Sequence, residues 1–194
     1  MDRLARVLHG DELKVAFAFL LTMPGAPFIY YGDEIGLRYV ENLVSVEGGY
    51  NRTGSRSPMQ WNHEVNFGFS NASPEKLYIP TDDKPNSPTV EDQMKDPNSL
   101  YYEVKKLIAL RREHSALLSD GNIEFVSDGA DGSPLAYIRS SADEKILVVV
   151  NPADREAVLT VPGSWQQNLY QIGGAVVAEN GKLVIPPKSA NLLR

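Results

Sequence analysis

The chain is 194 residues long, 42% hydrophobic and 23% charged, with a formal net charge of -6 and no cysteine. That composition fits a folded protein of one large domain or one medium and one small, and it excludes an intrinsically disordered chain. The lack of cysteine excludes disulfides and thiolate chemistry, and an acidic chain without a block of Lys and Arg is a poor partner for nucleic acid or an anionic membrane. His9, His63 and His114 lie far apart without ligand spacing, so no metal and no cofactor is expected. The longest apolar run, near Ala16 to Leu21, is too short to cross a bilayer. The start, "MDRLARVLHGDE", carries charges where a signal peptide needs an apolar stretch; nothing in it reads as an export signal, and the compartment stays open.

From Asp11 to Met23, Leu13, Ala16, Phe17, Leu20 and Leu21 follow the helical period and predict one buried stripe. Asp11 and Glu12 favour the helix start and Pro24-Gly25 stops it. "APFIYYG", Ala26 to Gly32, reads as a short parallel strand, apolar on both faces. From Asp33 to Lys95 there is no sustained periodicity, and Gly, Pro, Asn and Ser recur. Ordinary loops run to roughly a dozen residues, so so long a connection calls for a function. Asp96 as N-cap and Pro97 as first helical residue then predict a helix to about His114, with Leu100, Val104, Leu107, Ile108 and Arg111 at helical spacing.

After Gly121 the texture changes to "NIEFVS", "LAYIRS", "KILVVVN", "AVLTV", "NLYQI" and "KLVIP", divided by runs rich in turn formers. Six strands at this spacing predict an antiparallel β-sandwich over 121–194, after an α/β region over 1–120, with the boundary near Ser119 to Gly121.

Asp33 and Glu34 close the predicted parallel strand, where α/β folds bind ligands. Neighbouring side chains on a strand point to opposite faces, which weighs against a pair of catalytic carboxylates flanking one bond. One of them is expected to pair locally while the other lines a site. Arg52, Arg56, Gln60 and Trp61 in "RTGSRSPMQW" suit sugar recognition, since planar donors fork onto hydroxyls and an indole offers an apolar face; the same residues also suit tying a loop down. Trp165 follows a Pro-Gly-Ser turn and reads first as a packing residue.

"LLTMPGAPFIYYGDEIGL", "RTGSRSPMQW", "NFGFS" and "DPNSLYYEVKKLIALRREH", followed by a β-domain, resemble in order the C-terminal part of glycoside hydrolase family 13. This is the α-amylase family, and the likeness is closest to its α-glucosidase and trehalose synthase-like members. The resemblance implies a fragment of a (β/α)8 TIM barrel, comprising the seventh helix, the eighth strand, a long loop and the eighth helix, joined to an all-β sandwich. It implies retaining cleavage or transfer of α-glucosidic bonds, with α-linked glucosides and oligosaccharides as partners of the full-length enzyme. It places Arg3 beside the glucose whose bond is cut and Asp33 and Glu34 at the barrel's carboxyl face, Glu34 supporting architecture. Arg56, with Gln60 and Trp61 behind it, becomes a wall on the leaving-group side. The Asn-His-Asp end of the seventh strand and the two other catalytic carboxylates of the family are absent from the sequence, so no catalytic residue is expected and the chain alone should be inactive. Its exposed barrel edges invite self-association. The competing expectation is a non-catalytic carbohydrate-binding or structural module built on the β-domain, with Trp165 as platform.

Overall fold

The computed structural model describes residues 2–45, 48, 50–179 and 181–194. Met1 of "MDRLARVLHGDE", Val46, Glu47 and Gly49 of the long connection, and Asn180 in one of the runs of turn formers lie outside the described residues. The chain forms two compact units, one of Met1–His9 with Phe28–Lys105 and one of Gly10–Pro27 with Lys106–Arg194.

Among the described residues the second unit holds eight strands: β1 (Asn122–Asp128), β2 (Leu135–Ser140), β3 (Lys145–Asn151), β4 (Ala157–Leu159), β5 (Asn168–Ile172), β6 (Val177–Glu179), β7 (Lys182–Ile185) and β8 (Ser189–Leu193). They form a five-stranded sheet, ordered β1-β2-β3-β8-β5, and a three-stranded one, β4-β7-β6, both antiparallel throughout. Ala136, Leu147, Val149 and Leu193 from the first sheet meet Leu183 and Ile185 from the second in a shared core, the arrangement of a sandwich. All six predicted strands are present. β6 is too short and too exposed to carry a pattern, and β8 was hidden because "SANLL" lies after a Pro-Pro pair and does not alternate.

β8 is buried at every position and β3 at all but Lys145, so these central strands are covered on both faces. Helix α1 (Asp11–Thr22) provides the outer cover, packing against β3, β5 and β8. Its buried side is Leu13, Val15, Phe17, Ala18 and Leu21, a stripe turned from the predicted one by the exclusion of Ala16 and Leu20. Packing thus groups α1 with the strands, whereas the boundary read from sequence groups it with the α/β region.

The end of α1 is held by arginines. Arg111, on α3 (Leu100–Glu113), donates to the carbonyls of Leu21, Met23 and Gly25, each at 2.7 Å. Arg139 of β2 has no exposed surface and donates to the carbonyls of Thr22, Leu118 (2.8 Å), Gly121 (3.1 Å) and Asn122 (3.1 Å). Both cations therefore sit at the negative end of the helix dipole.

His114 and Glu144 bond at 2.6 Å, and Glu144 also accepts from the Ala116 amide at 3.2 Å. Burial pushes the Glu144 carboxyl up, but the His114 and Ala116 hydrogen bonds together with the Arg194 charge outweigh it and leave the carboxyl below its ordinary value of 4.5. A depressed acid binds its proton more readily in the unfolded chain. This contribution to stability is expected in full above about pH 4.5 and to be lost as pH falls through the depressed value. Glu144→Gln should remove that part of the acid sensitivity, which urea melts at a series of pH values would show.

The first unit differs most from expectation. Ala26 to Gly32 forms no strand, because a strand exists only by pairing, and all eight described strands lie in the second unit. Phe28, predicted to be covered, is 89% exposed. The long connection is not structureless: among its described residues four turns of 3-10 helix and α2 (Val90–Lys95) punctuate it. Thr89 caps α2, its hydroxyl accepting from the Asp92 amide at 3.1 Å. The following helix, α3, starts three residues later than predicted, since Asp96 caps the turn through Asn98 (2.9 Å) and Ser99 takes the N-cap position. No helix among the described residues is long and apolar enough to cross a membrane.

Candidate functional site

In the first unit Tyr30 to Gly36 makes a tight reversal, with Asp33–Ile35 in one 3-10 turn between left-handed Gly32 and Gly36. A side chain on Gly32 would fall 2.7 Å from Leu37 Cδ2, so glycine is required on space as well as on φ. The reversal sends Asp33 and Glu34 to different surroundings. Asp33 is buried and accepts from Arg3 Nη1 at 3.1 Å, while the same nitrogen donates to the Tyr31 carbonyl. The Arg3 guanidinium lies 4.5 Å from the Tyr30 ring centre and 4.8 Å from that of Tyr31. Its Nε and Nη2 have no partner among the described residues. Burial raises the Asp33 pKa, opposed by the hydrogen bond and charge of Arg3.

Glu34 instead lines an open cleft of about 430 Å³, and its Oε2 is buried without a partner among the described residues. Asp33 is thus the acid paired locally, while Glu34, expected to serve architecture, is placed at the cleft.

The loop supplies the other walls. Tyr50–Arg56 coils as 3-10 helix and ends with Arg56 exposed at the cleft, without a hydrogen bond or ion pair among the described residues. Trp61 lines the same cleft at 50% exposure. Tyr31 joins them, its hydroxyl tied to the Ser57 carbonyl at 3.0 Å. Phe69, Tyr78, Met59 and Ile79 make the remainder largely apolar. Phe69 reaches it because Asn66, Phe67 and Gly68 run in succession at left-handed φ (50°, 56° and 70°), a strained turn held by the Asn66 amide on the Ser70 and Ala72 carbonyls.

Gln60 is placed elsewhere. It is fully buried, its amide donating to Ser87 Oγ and the Pro88 carbonyl at 2.8 Å and accepting from the Asp82 amide at 3.1 Å. Arg38 and Ser87 close on Asp82 at 2.6 and 2.9 Å, so Gln60 belongs to the polar network that folds the loop. Sequence reading missed Tyr31, Phe69 and Tyr78; only the aromatic content of "YYG" and "NFGFS" hinted at the first two. Among the described residues no group of three or more acidic or histidine side chains could hold a metal ion.

A carboxylate, a guanidinium and an indole thus share one mostly apolar cleft, which can hold a sugar ring by its apolar face and its hydroxyls. Residues 1–121 match the family model of the alpha-amylase catalytic domain. The chain belongs to the alpha-amylase family. Residues 123–184 match the C-terminal domain of maltogenic amylase. The chain is therefore part of a TIM-barrel catalytic domain followed by the family's β-domain. Among relatives of this alpha-amylase family chain, a trehalose synthase of Pimelobacter is 36% identical over 77% of the chain and 26% of its own length. A glucan 1,6-alpha-glucosidase of Streptococcus pneumoniae is 35% identical over 84% of the chain and 35% of its own length. The chain thus spans about a quarter to a third of these relatives. In fold it is similar to the trehalulose synthase MutB of Pseudomonas mesoacidophila, with a TM-score of 0.80 at 23% identity over 94% of the chain and 38% of that protein.

Proposed function

We propose that these residues are the C-terminal part of a retaining hydrolase or transglucosidase acting on α-glucosidic bonds, with the barrel portion ending near Ser119 to Gly121. In this reading α1 is the seventh barrel helix, Ala26 to Gly32 the eighth strand segment and α3 the eighth helix. The observation that carries the reading is the convergence of Glu34, Arg56 and Trp61 on one cleft. Arg56 is a cation with no partner among the described residues, poised to hold substrate hydroxyls, while the Arg3–Asp33 pair stiffens the reversal that carries Glu34 and Tyr31.

In a longer enzyme carrying this segment, Arg56→Ala should lower kcat/KM for α-glucosides by about 10- to 100-fold, the loss of one hydrogen bond to a charged group. Unchanged kinetics would remove Arg56 from the site. The 194-residue chain by itself should show no turnover of maltose, isomaltose, sucrose, trehalose or starch, because the family's catalytic carboxylates are not among its residues. Turnover by the purified chain would refute that. Phe28 at 89% and Val44 at 86% exposure support self-association of the isolated chain, which sedimentation would detect.

A further inference from the structure

The second unit has its own cleft, of about 770 Å³, which the reading above leaves unused. Strand β1 brings Glu124 to it, the β2–β3 turn brings Asp143 and Glu144, β3 begins there with Lys145, and the Pro162 to Trp165 turn and Arg194 close it. Trp165 is half-buried, and its indole N–H is spent on the Pro162 carbonyl at 2.9 Å, so only the apolar ring faces the cleft. Gly163 keeps part of that ring bare, since a Cβ there would lie 3.5–3.8 Å from Nε1, Cε2 and Cζ2.

The charged groups have no bias toward either sign. Glu124, Asp143 and Lys145 are exposed, and their side chains make no hydrogen bond or ion pair among the described residues, while Glu144 is engaged by His114 and by Arg194 at 3.5 Å. An anion would meet the carboxylates and a cation would meet Lys145 and Arg194. A neutral polyhydroxylated ligand uses both kinds of group, accepting from the lysine and donating to the carboxylates, with an apolar ring face left for the indole.

We propose that the β unit carries a second carbohydrate site, a groove built on Trp165 with Glu124, Asp143 and Lys145, that takes a neutral oligosaccharide of pyranose rings. The site uses no residue of the first cleft, so its failure and the failure of the glycosidase reading are separable.

The chain has two tryptophans, so the Trp61→Phe protein reports on Trp165 alone. Titrating it with maltotetraose and with cellotetraose should give a saturable change in emission with at least one of them. Lys145→Ala and Glu124→Ala, both exposed and outside the core, should each weaken that binding about tenfold. Trp165→Ala in the otherwise unaltered chain should abolish saccharide binding by calorimetry at this site, but its packing role makes the two surface variants the decisive ones. No saturable change with either sugar, or binding that survives both surface replacements unaltered, overturns the proposal.

Discussion

Arg139→Leu should destabilise the β unit by about 3–5 kcal/mol, read as a lower urea midpoint. The replacement leaves an apolar side chain but strips donors from the carbonyls of Thr22, Leu118, Gly121 and Asn122, all in a place where the arginine itself has no exposed surface. Each carbonyl left without a partner costs roughly 1–3 kcal/mol. The arginine has no carboxylate partner among the described residues, so its desolvation is offset by carbonyl dipoles and by the negative end of α1. Burial lowers the pKa of Arg139, and the charge of Arg111 adds to that. Arg139→Lys should recover only part of the loss, since an ammonium has three donors and no planar fork. Because Arg111 grips the same helix end, the double replacement should be non-additive. A loss below about 1 kcal/mol for Arg139→Leu would mean that water replaces the arginine.

Gly54→Ala should have the next largest effect, a loss of about 1–3 kcal/mol in the first unit. An added Cβ would lie 2.2 Å from the Val40 carbonyl oxygen and 2.6 Å from Tyr39 Cζ. The nearer atom is backbone, so no rotamer change relieves the contact. The two stretches are drawn together by the Val40 amide donating to the Gly54 carbonyl at 3.0 Å, and Tyr39 is itself sandwiched by Arg6 at 4.2 Å. Forcing them apart moves the 3-10 helix that ends at Arg56, so the site should loosen with the loop. Faster amide hydrogen exchange at Val40 is the expected sign. Unaltered exchange would show that the close approach does not hold the loop.

The β unit was legible because its strands alternate or run β-branched between turn formers, and "LAYIRS" and "KILVVVN" coincide with β2 and β3. The packing of α1 on that sheet was not, although the unbroken apolar run of β3 carried the signal of a strand covered on both faces. Arg139 lay in plain view on the face of "LAYIRS" opposite Ala136 and Ile138, but a single chain gives no way to tell a buried carbonyl-binding arginine from an exposed one. In the first unit, residue types marked the right loop without separating roles. Arg56, Gln60 and Trp61 look alike as sugar binders, yet Gln60 is consumed by Ser87, Pro88 and Asp82. Which of Asp33 and Glu34 would be buried depended on Arg3, 30 positions away in sequence. No periodicity conveys a contact of that kind.

The cover that α1 gives to β8 has a consequence for the order of events at the ribosome. The helix is complete at Thr22, while the strand it packs against begins at Ser189. At the ~5–20 residues per second of ordinary synthesis, the nascent helix emerges on the order of ten seconds before β8 exists. Until β3 is made Leu13, Phe17 and Leu21 have no sheet to face, and until β8 follows they have only part of one; the stretch from Phe28 to Lys105 is made in between. Of the strands that α1 packs against, β8 is the latest in chain order, so it completes the sheet beneath the helix.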